Sequence, residues 1–267
     1  MTTVPVTIHD LRARKERRER FVMVTAYDVA IARLLAAAEV PAILVGDSVG
    51  NNHLGYDTTL PVTMEEMVHH ARAVARGAPY QLLVGDMPFG SYHRSVDQAV
   101  ANAVDLVQAG MHAVKLEGGG WVVDVAARIV ECGIPVMGHL GLTPQSVHAF
   151  GGFRVQGRSA NDRERILDDA RALQGAGAFS LVLEGVPRDL AAAVTRAVSI
   201  PTIGIGAGPD CDGQVLVAYD LLGITRGPMP KFARAYAQIG DQVIAAACAF
   251  AEDVAAGRFP DDEHSYH

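Results

Sequence analysis

The sequence predicts an α/β fold, a (βα)8 TIM-type barrel with an additional N-terminal helix. Short apolar runs rich in β-branched residues alternate with longer helix-like segments, and the pair repeats about every thirty residues, the length of one βα unit. Eight such units favour a closed barrel over an open sheet. The chain has 267 residues, of which 49% are hydrophobic, and this is enough to fill the core of an eight-stranded barrel.

Seven apolar runs are predicted as strands, each followed by a Gly, Pro or polar turn. They cover residues 21–28, 42–47, 81–88, 113–119, 135–141, 179–185 and 201–208. Helices are predicted at 29–39, 63–77, 95–110, 121–133, 163–177, 187–199 and 232–257. Thr63 and Glu66 suit a capping box, Gly77 suits a C-cap and Pro187 suits the first turn of its helix. The eighth strand lies within DGQVLVAYDLLG (212–223), where periodicity does not separate strand from short helix.

The ends of the chain add to the barrel without forming a second domain. A polar helix is predicted within about residues 1–20, in IHDLRARKERRE, and its expected place is the barrel floor. Residues from about 258 to 267 read as a C-terminal tail. Since no Pro/Gly/Ser-rich linker divides the sequence, we expect one domain over residues 1–267.

Composition excludes several classes of protein. The formal net charge is −7, and the one basic cluster, Arg12 to Arg20, contains two Glu and suits a solvated helix face better than a nucleic-acid site. Three scattered cysteines predict neither a disulfide framework nor a zinc site, and reduced thiols fit a cytoplasmic protein. No signal peptide is predicted, and no apolar run reaches membrane-spanning length.

Four predicted strands end in an acid: Asp47, Asp86, Glu117 and Glu184. The carboxyl ends of parallel strands share one face of a barrel, so these side chains should converge. Converging carboxylates repel one another unless a cation or a proton lies between them. The pattern predicts a divalent-metal site, with Mg²⁺ suited to hard oxygen ligands and water, and one carboxylate left over as a general base. A single strand-end Asp could equally cap a turn, but the repetition favours a site.

Lys115 and His139 are further candidates. Lys115 lies two residues before Glu117, so both side chains point to one side of their strand. If that side is the barrel interior, the Lys needs a carboxylate partner or a substrate carboxylate; an outward Lys115, with Val114 and Leu116 inside, is the alternative. His139 lies near the end of strand five, where it could orient a ligand or be a buried His bonded to backbone. For Glu184 the alternative is an ion pair, for example with Arg188.

Several long motifs resemble the ketopantoate hydroxymethyltransferase family. They are VTAYD (24–28), VGDSVGNNHLGYDTTLPVT (45–63), GDMPFGSY (85–92), VKLEGG (114–119), GHLGLTPQSVHAFGGFRVQGR (138–158), VLEGVP (182–187) and GIGAGPDCDGQVLVAYDLLG (204–223). The resemblance runs from about residue 5 to 255. Differences such as Arg154 and Arg158, where Lys is common in the family, leave the charge unchanged.

The resemblance implies a pantothenate-pathway transferase. It would move a hydroxymethyl group from methylene-tetrahydrofolate to 3-methyl-2-oxobutanoate and give 2-dehydropantoate, with Mg²⁺ as cofactor. The implied metal carboxylates are Asp47, Asp86 and Glu117, the last acting directly or through water. The implied 2-oxo acid contacts are Asp47, Ser48, Asp86, Lys115 and His139, and the implied proton acceptor is Glu184. A cytoplasmic homo-oligomer, a decamer, is implied as well, with neither a nucleic-acid nor a membrane partner.

Two other functions remain open from the residues alone. A Mg²⁺-dependent lyase or mutase acting on a small 2-oxo acid, of the phosphoenolpyruvate mutase and isocitrate lyase type, would also place acids at strand ends. Such an enzyme is expected to carry a reactive Cys or several phosphate-binding Arg in its loops, whereas Cys132 ends a helix here. A non-catalytic barrel would have to explain why several acids face one crevice.

Overall fold

The computed structural model describes residues 4–227 and 229–267, and its centre is a closed barrel of eight parallel strands. The strands are β1 (Phe21–Thr25), β2 (Ala42–Val45), β3 (Leu82–Asp86), β4 (Ala113–Glu117), β5 (Val136–Gly141), β6 (Ser180–Glu184), β7 (Thr202–Ile205) and β8 (Gly213–Leu216). Each strand pairs with its neighbour in sequence order, and β8 pairs with β1 through Met23 and Val215. The predicted (βα)8 barrel is confirmed.

Helices alternate with these strands in the described chain. They are α1 (Ile8–Arg17), α2 (Val29–Ala37), α3 (Met64–Gly77), α4 (Val96–Gln108), α5 (Val122–Glu131), α6 (Val147–Phe150), α7 (Ala160–Gly175), α8 (Arg188–Ala197), α9 (Ala218–Leu221) and α10 (Ile239–Ala255). A π-helical turn, Gly50–Leu54, and a 3₁₀ turn, Pro144–Ser146, lie in the segments that follow β2 and β5.

Alternate residues of the strands fill the barrel interior. Met23, Leu44, Val84, Met137 and Val182 belong to one buried cluster and contribute from five different strands. Because side chains alternate across a strand, the residues two positions further on share this inward direction. Residues at the carboxyl ends of β3, β4, β5 and β6 therefore point into the upper part of the barrel.

The additional N-terminal helix is confirmed as α1, and it covers the amino-terminal end of the barrel. Thr7 and Asp10 form a capping box at its start. Leu11 is fully buried in the same cluster as the barrel-lining side chains. Lys15 Nζ lies 2.8 Å from Asp212 Oδ2 and donates to Thr195 O at 3.0 Å, which joins α1 to the last barrel units.

Two local predictions need correction. Gly77 is the last residue of α3 and not its C-cap, which is Ala78. A Cβ at Gly77 would lie 2.7 Å from Ala32 Cβ and 2.7 Å from Val29 O, so glycine permits close packing of α3 on α2. Pro187 is the N-cap of α8 and precedes its first turn. The capping box of Thr63 and Glu66 is confirmed.

The chain divides into two compact units, one ending at Val217 and the other beginning at Ala218. The first holds the barrel, and the second holds α9, α10 and a 3₁₀ turn at Asp262–His264 within the predicted tail. A single domain over residues 1–267 stays a prediction. Within residues 4–227 and 229–267, no helix has the length and apolar character needed to cross a bilayer.

Candidate active site

The four predicted acids lie at the carboxyl ends of their strands. Asp86, Glu117 and Glu184 are the last residues of β3, β4 and β6, while Asp47 lies two residues beyond the end of β2. Asp86 and Glu117 share the inward register of the buried cluster residues Val84 and Ala113. Regular strand geometry thus aims several carboxylates into the barrel mouth.

Asp47, Asp86 and Glu117 form one buried carboxylate cluster. Each offers an oxygen, and these oxygens all lie within 4.8 Å of one another. The Asp47 backbone N–H donates to Asp86 Oδ2 at 3.2 Å, which ties the two aspartates together. All three side chains belong to residues less than a tenth exposed. The structure brings together the three residues that the sequence assigned to a metal.

Lys115 points into the barrel and contacts the cluster. Its Nζ lies 2.7 Å from Asp86 Oδ1 and 3.5 Å from Glu117 Oε1. Burial opposes the charge of the ammonium, but Asp86, Glu117 and Asp47 outweigh burial and raise the pKa of Lys115. Burial likewise opposes the charge of Glu117, but Lys115 and His139 lower the pKa of Glu117 to about 2. These two groups are therefore an ionised pair, and the outward alternative for Lys115 is wrong.

His139 connects the cluster to Glu184. Its Nδ1 lies 3.2 Å from Glu117 Oε1 and its Nε2 lies 3.3 Å from Glu184 Oε2. Burial and the Lys115 charge act against protonation, but the two glutamates prevail and raise the pKa of His139 to about 9. Glu184 keeps 15% of its side chain exposed, so it borders the open mouth. The alternative partner for Glu184, Arg188, pairs instead with Asp210 at 2.8 Å.

The cluster carries more negative charge than its protein cations neutralise. Burial, then repulsion from Asp86 and Glu117, raises the pKa of Asp47 well above its ordinary value despite Lys115 and Gln145. Burial also raises the pKa of Asp86, although Lys115 opposes this. Three buried carboxylates that share one lysine ammonium and one histidine offer the hard oxygen donors that suit a divalent cation such as Mg²⁺.

Ser48 follows Asp47 at the start of the long segment after β2. Its Oγ lies 2.8 Å from the Tyr27 hydroxyl, which also accepts a hydrogen bond from Thr25 at 3.2 Å. Ser48 is half-buried. The Ser48 hydroxyl is therefore held by Tyr27, which follows β1, and Ser48 is the next residue after Asp47 of the carboxylate cluster.

Sequence reasoning missed two residues that contact the cluster. Gln145, in the 3₁₀ turn after β5, donates its amide to Asp47 Oδ2 at 2.8 Å and its backbone N–H to Glu117 Oε2 at 3.0 Å. The Tyr92 hydroxyl donates to Gln145 Oε1 at 2.7 Å. The available signal was weak: both are polar residues in loops that follow predicted strands, within motifs used only for the family resemblance.

Comparison with known proteins identifies the family. The model of the family described as ketopantoate hydroxymethyltransferase matches residues 5–262. The chain belongs to the ketopantoate hydroxymethyltransferase family. It is 55% identical over 262 residues to a 3-methyl-2-oxobutanoate hydroxymethyltransferase of Moorella thermoacetica, covering 98% of this chain and 97% of that protein. It is 56% identical to one from a Methylobacterium species, covering 97% and 90%. The predicted family and enzyme class are confirmed.

Solved structures with the same fold come from another group of enzymes. Phosphonopyruvate hydrolase, in a complex with oxalate and Mg²⁺, superimposes with a TM-score of 0.60 at 14% identity, covering 96% of this chain and 92% of that one. A 2,3-dimethylmalate lyase of the phosphoenolpyruvate mutase/isocitrate lyase superfamily gives 0.60 at 16% identity, covering 97% and 91%. At such identity the likeness shows the barrel fold alone.

Proposed function

We propose that this enzyme transfers a hydroxymethyl group from methylene-tetrahydrofolate to 3-methyl-2-oxobutanoate, giving 2-dehydropantoate, the first committed step of pantothenate biosynthesis. The observation that carries the proposal is the buried cluster of Asp47, Asp86 and Glu117, with Glu184 beyond His139 at the same barrel mouth. The relatives that match over nearly the whole chain are named for this reaction.

The cluster would hold Mg²⁺, with Asp47, Asp86 and Glu117 as its carboxylates. Bound there, Mg²⁺ would act as a Lewis acid toward the carboxylate and keto oxygens of the 2-oxo acid and offset the negative charge that develops on deprotonation. Its two positive charges would also relieve the repulsion among three buried carboxylates. Glu117 then has a second task, because it pairs with Lys115 and His139 at the same time.

The remaining residues would bind and orient the 2-oxo acid. Lys115 is a buried ammonium that faces the cluster, so it suits the substrate carboxylate once Asp86 is engaged by the cation. The Ser48 hydroxyl beside Asp47 would donate to the same end of the substrate. His139 lies between the cluster and Glu184 and would face the keto group side of the substrate. Together they fix which carbon is presented to Glu184.

Glu184 would remove the proton from C3 of the 2-oxo acid. It is the one acid of the four outside the carboxylate cluster, and it borders the open mouth rather than the sealed interior. His139 Nε2 holds one Glu184 oxygen at 3.3 Å, which leaves the other oxygen for the substrate. The carbanion at C3 would form a bond to the methylene carbon of the folate, and water would supply the hydroxyl group on that carbon. Both bonds from the methylene carbon to folate nitrogens would break, and the two nitrogens would take up one proton from water and one in place of the proton lost from C3.

We propose further that the enzyme is a cytoplasmic homo-oligomer, a decamer. Exposed apolar side chains on α10 support self-association. Of the residues of α10, Gly240 is buried. By contrast, about half or more of the surface is exposed at Val243, Ile244, Phe250 and Val254. A helix this apolar and this exposed is typical of one that is covered by another protein surface.

Product analysis separates this reaction from the lyase or mutase alternative. The purified enzyme is incubated with Mg²⁺, methylene-tetrahydrofolate and 3-methyl-2-oxobutanoate, and 2-dehydropantoate is followed by NMR. We expect product that depends on both the folate and Mg²⁺ and that disappears with excess EDTA. Parallel reactions use phosphonopyruvate and 2,3-dimethylmalate as substrates. Cleavage of either one, with no 2-dehydropantoate formed, would show that the transferase proposal is wrong.

A further inference from the structure

We propose that Gln145 and Tyr92 are positioning residues of the carboxylate cluster. Gln145 fixes the orientation of Asp47 and Glu117, and Tyr92 fixes Gln145, so that the cluster is prearranged for a divalent cation. This inference rests on the proposed magnesium site and assigns two residues that neither the charge pattern nor the strand-end pattern of the sequence indicates.

Gln145 reaches two acids that come from different strands. Its side-chain Nε2 donates to Asp47 Oδ2 at 2.8 Å, and its backbone N–H donates to Glu117 Oε2 at 3.0 Å. The residue is 5% exposed, so water does not compete strongly for these bonds. One residue of the segment after β5 therefore holds a carboxylate that follows β2 and another that ends β4.

The amide of Gln145 can take only one orientation here. Nε2 has two protons, and it donates one to Asp47 Oδ2 and the other to Met87 O at 3.0 Å. Oε1 accepts the Tyr92 hydroxyl at 2.7 Å. A flipped amide would place its oxygen against two acceptors, so the network itself specifies the direction of the donor. Both donors of the amide and one of the two lone pairs of its oxygen are therefore used.

Tyr92 completes the network from the segment after β3. Its ring is buried, and the ring of His93 lies against it at a centroid distance of 4.2 Å. While its hydroxyl donates to Gln145 Oε1, it accepts the backbone N–H of Glu117 at 3.3 Å. Tyr92 thus connects Gln145 to the backbone of the same Glu117 whose side chain Gln145 holds.

These hydrogen bonds and ion pairs determine which carboxylate oxygens of the cluster already have a protein partner. Gln145 occupies Oδ2 of Asp47 and Oε2 of Glu117, while Lys115 and His139 engage Oε1 of Glu117. Restricting carboxylate rotation before the cation arrives lowers the entropy cost of binding. Partners of this kind around metal ligands are worth about 10- to 100-fold in metal affinity. We expect an effect of that size for Gln145.

The test is the Mg²⁺ affinity of the full-length protein, measured by isothermal titration with MgCl₂, with and without saturating 3-methyl-2-oxobutanoate. Gln145→Met keeps the side-chain length and removes the amide, and it should weaken Kd about 10- to 100-fold. Tyr92→Phe should weaken Kd by a smaller factor. Because Tyr92 acts through Gln145, the double variant should lose little more than Gln145→Met alone. Gln214→Met, on an exposed position of β8, is the matched control and should bind like the wild type.

A purely structural role gives a different result. It would lower Tm and the fraction of protein that binds, while the Kd of the binding fraction stays at the wild-type value. That result overturns the positioning role of both residues. If the losses in Mg²⁺ affinity of the two single variants add up in the double variant, the role assigned to Tyr92 is overturned. Wild-type protein that binds no Mg²⁺ in either titration would overturn the proposed metal site and this inference together. Wild-type binding with an unchanged Kd in Gln145→Met would overturn this inference alone.

Discussion

Asp47 is a residue whose ionised form the folded barrel disfavours. Burial and the two neighbouring carboxylates raise its pKa well above the usual range, and burial also raises that of Asp86. Lys115 opposes both shifts but cannot balance three carboxylates alone. A site with this charge holds protons when it holds no cation, so cation binding and proton release must be linked.

This linkage predicts the pH dependence of Mg²⁺ binding. Since the pKa values of Asp47 and Asp86 are raised in the folded protein, protons occupy the cluster at mildly acidic pH and are lost as pH rises. Mg²⁺ affinity should therefore increase with pH over the range in which these two carboxyl groups lose their protons, and binding should release protons. Titrations in two buffers with different ionisation enthalpies measure that release. Equal affinity across the range, with no proton release, would contradict the charge assignment.

Individual residues show where sequence reasoning succeeds. The acids were predictable because strand ends of a parallel barrel converge, and Lys115 because it shares a strand face with Glu117. Gln145 and Tyr92 were not predictable. Their side chains are neutral, and their contacts depend on the path of two loops, which local propensity does not determine. The roles of Ser48 and Glu184 in catalysis stay predictions until they are measured.

At the scale of elements, the contact between α2 and α3 depends on one glycine. A Cβ at Gly77 would meet Ala32 Cβ and Val29 O at 2.7 Å, and neither atom can move without shifting the start of α2. The carboxyl end of α3 thus sits closer to α2 than any larger residue allows. The sequence marked Gly77 as a cap because glycine near the end of a helix usually has that role.

We expect Gly77→Ala to destabilise the protein by about 1–3 kcal/mol, the usual cost of overpacking. Urea unfolding gives the free energy. Gly175→Ala is the matched control: Gly175 is also the last residue of its helix, and a Cβ there meets nothing within 4 Å. The control should be neutral or stabilising, because alanine favours helix. An equal loss in both variants would show that close packing at Gly77 is not the cause.

The eighth unit shows the limit of pattern reading for elements. DGQVLVAYDLLG contains a short apolar run that fits strand or helix equally well. The structure places β8 at Gly213–Leu216 and α9 at Ala218–Leu221, so the run changes from strand to helix at Val217. Residues 213–216 form a strand because they pair with both β1 and β7. That pairing depends on closure of the barrel, so the sequence of the segment alone does not reveal it.

For the whole molecule, repetition made the barrel predictable. Each βα unit is weakly specified by itself, but eight units of similar length leave few arrangements other than a closed parallel sheet. The single-chain structure leaves the apolar side chains of α10 exposed. Phe250 contacts the ring of Phe259 at a centroid distance of 5.4 Å, and sequence periodicity alone could not show that this apolar helix is exposed.

Self-association through α10 gives a test at this scale. Light scattering after size exclusion should give the wild type a mass well above the 28.3 kDa of one chain. Replacing Ile244 and Phe250 together with Asp puts charges on two exposed apolar positions, and we expect the mass to fall toward one chain. Glu252→Gln, on the same helix, is the control and should keep the wild-type mass. A wild type that is already monomeric would contradict the proposed oligomer.

The central claim is that Glu184 takes the C3 proton while the carboxylate cluster binds the 2-oxo acid with Mg²⁺. The most direct measurement is exchange of the C3 hydrogen of 3-methyl-2-oxobutanoate into D₂O, followed by NMR without folate. The account predicts Mg²⁺-dependent exchange by the wild type. It also predicts at least about a 100-fold slower rate for Glu184→Gln, with Mg²⁺ and oxo-acid binding retained. Exchange by Glu184→Gln at close to the wild-type rate would contradict it.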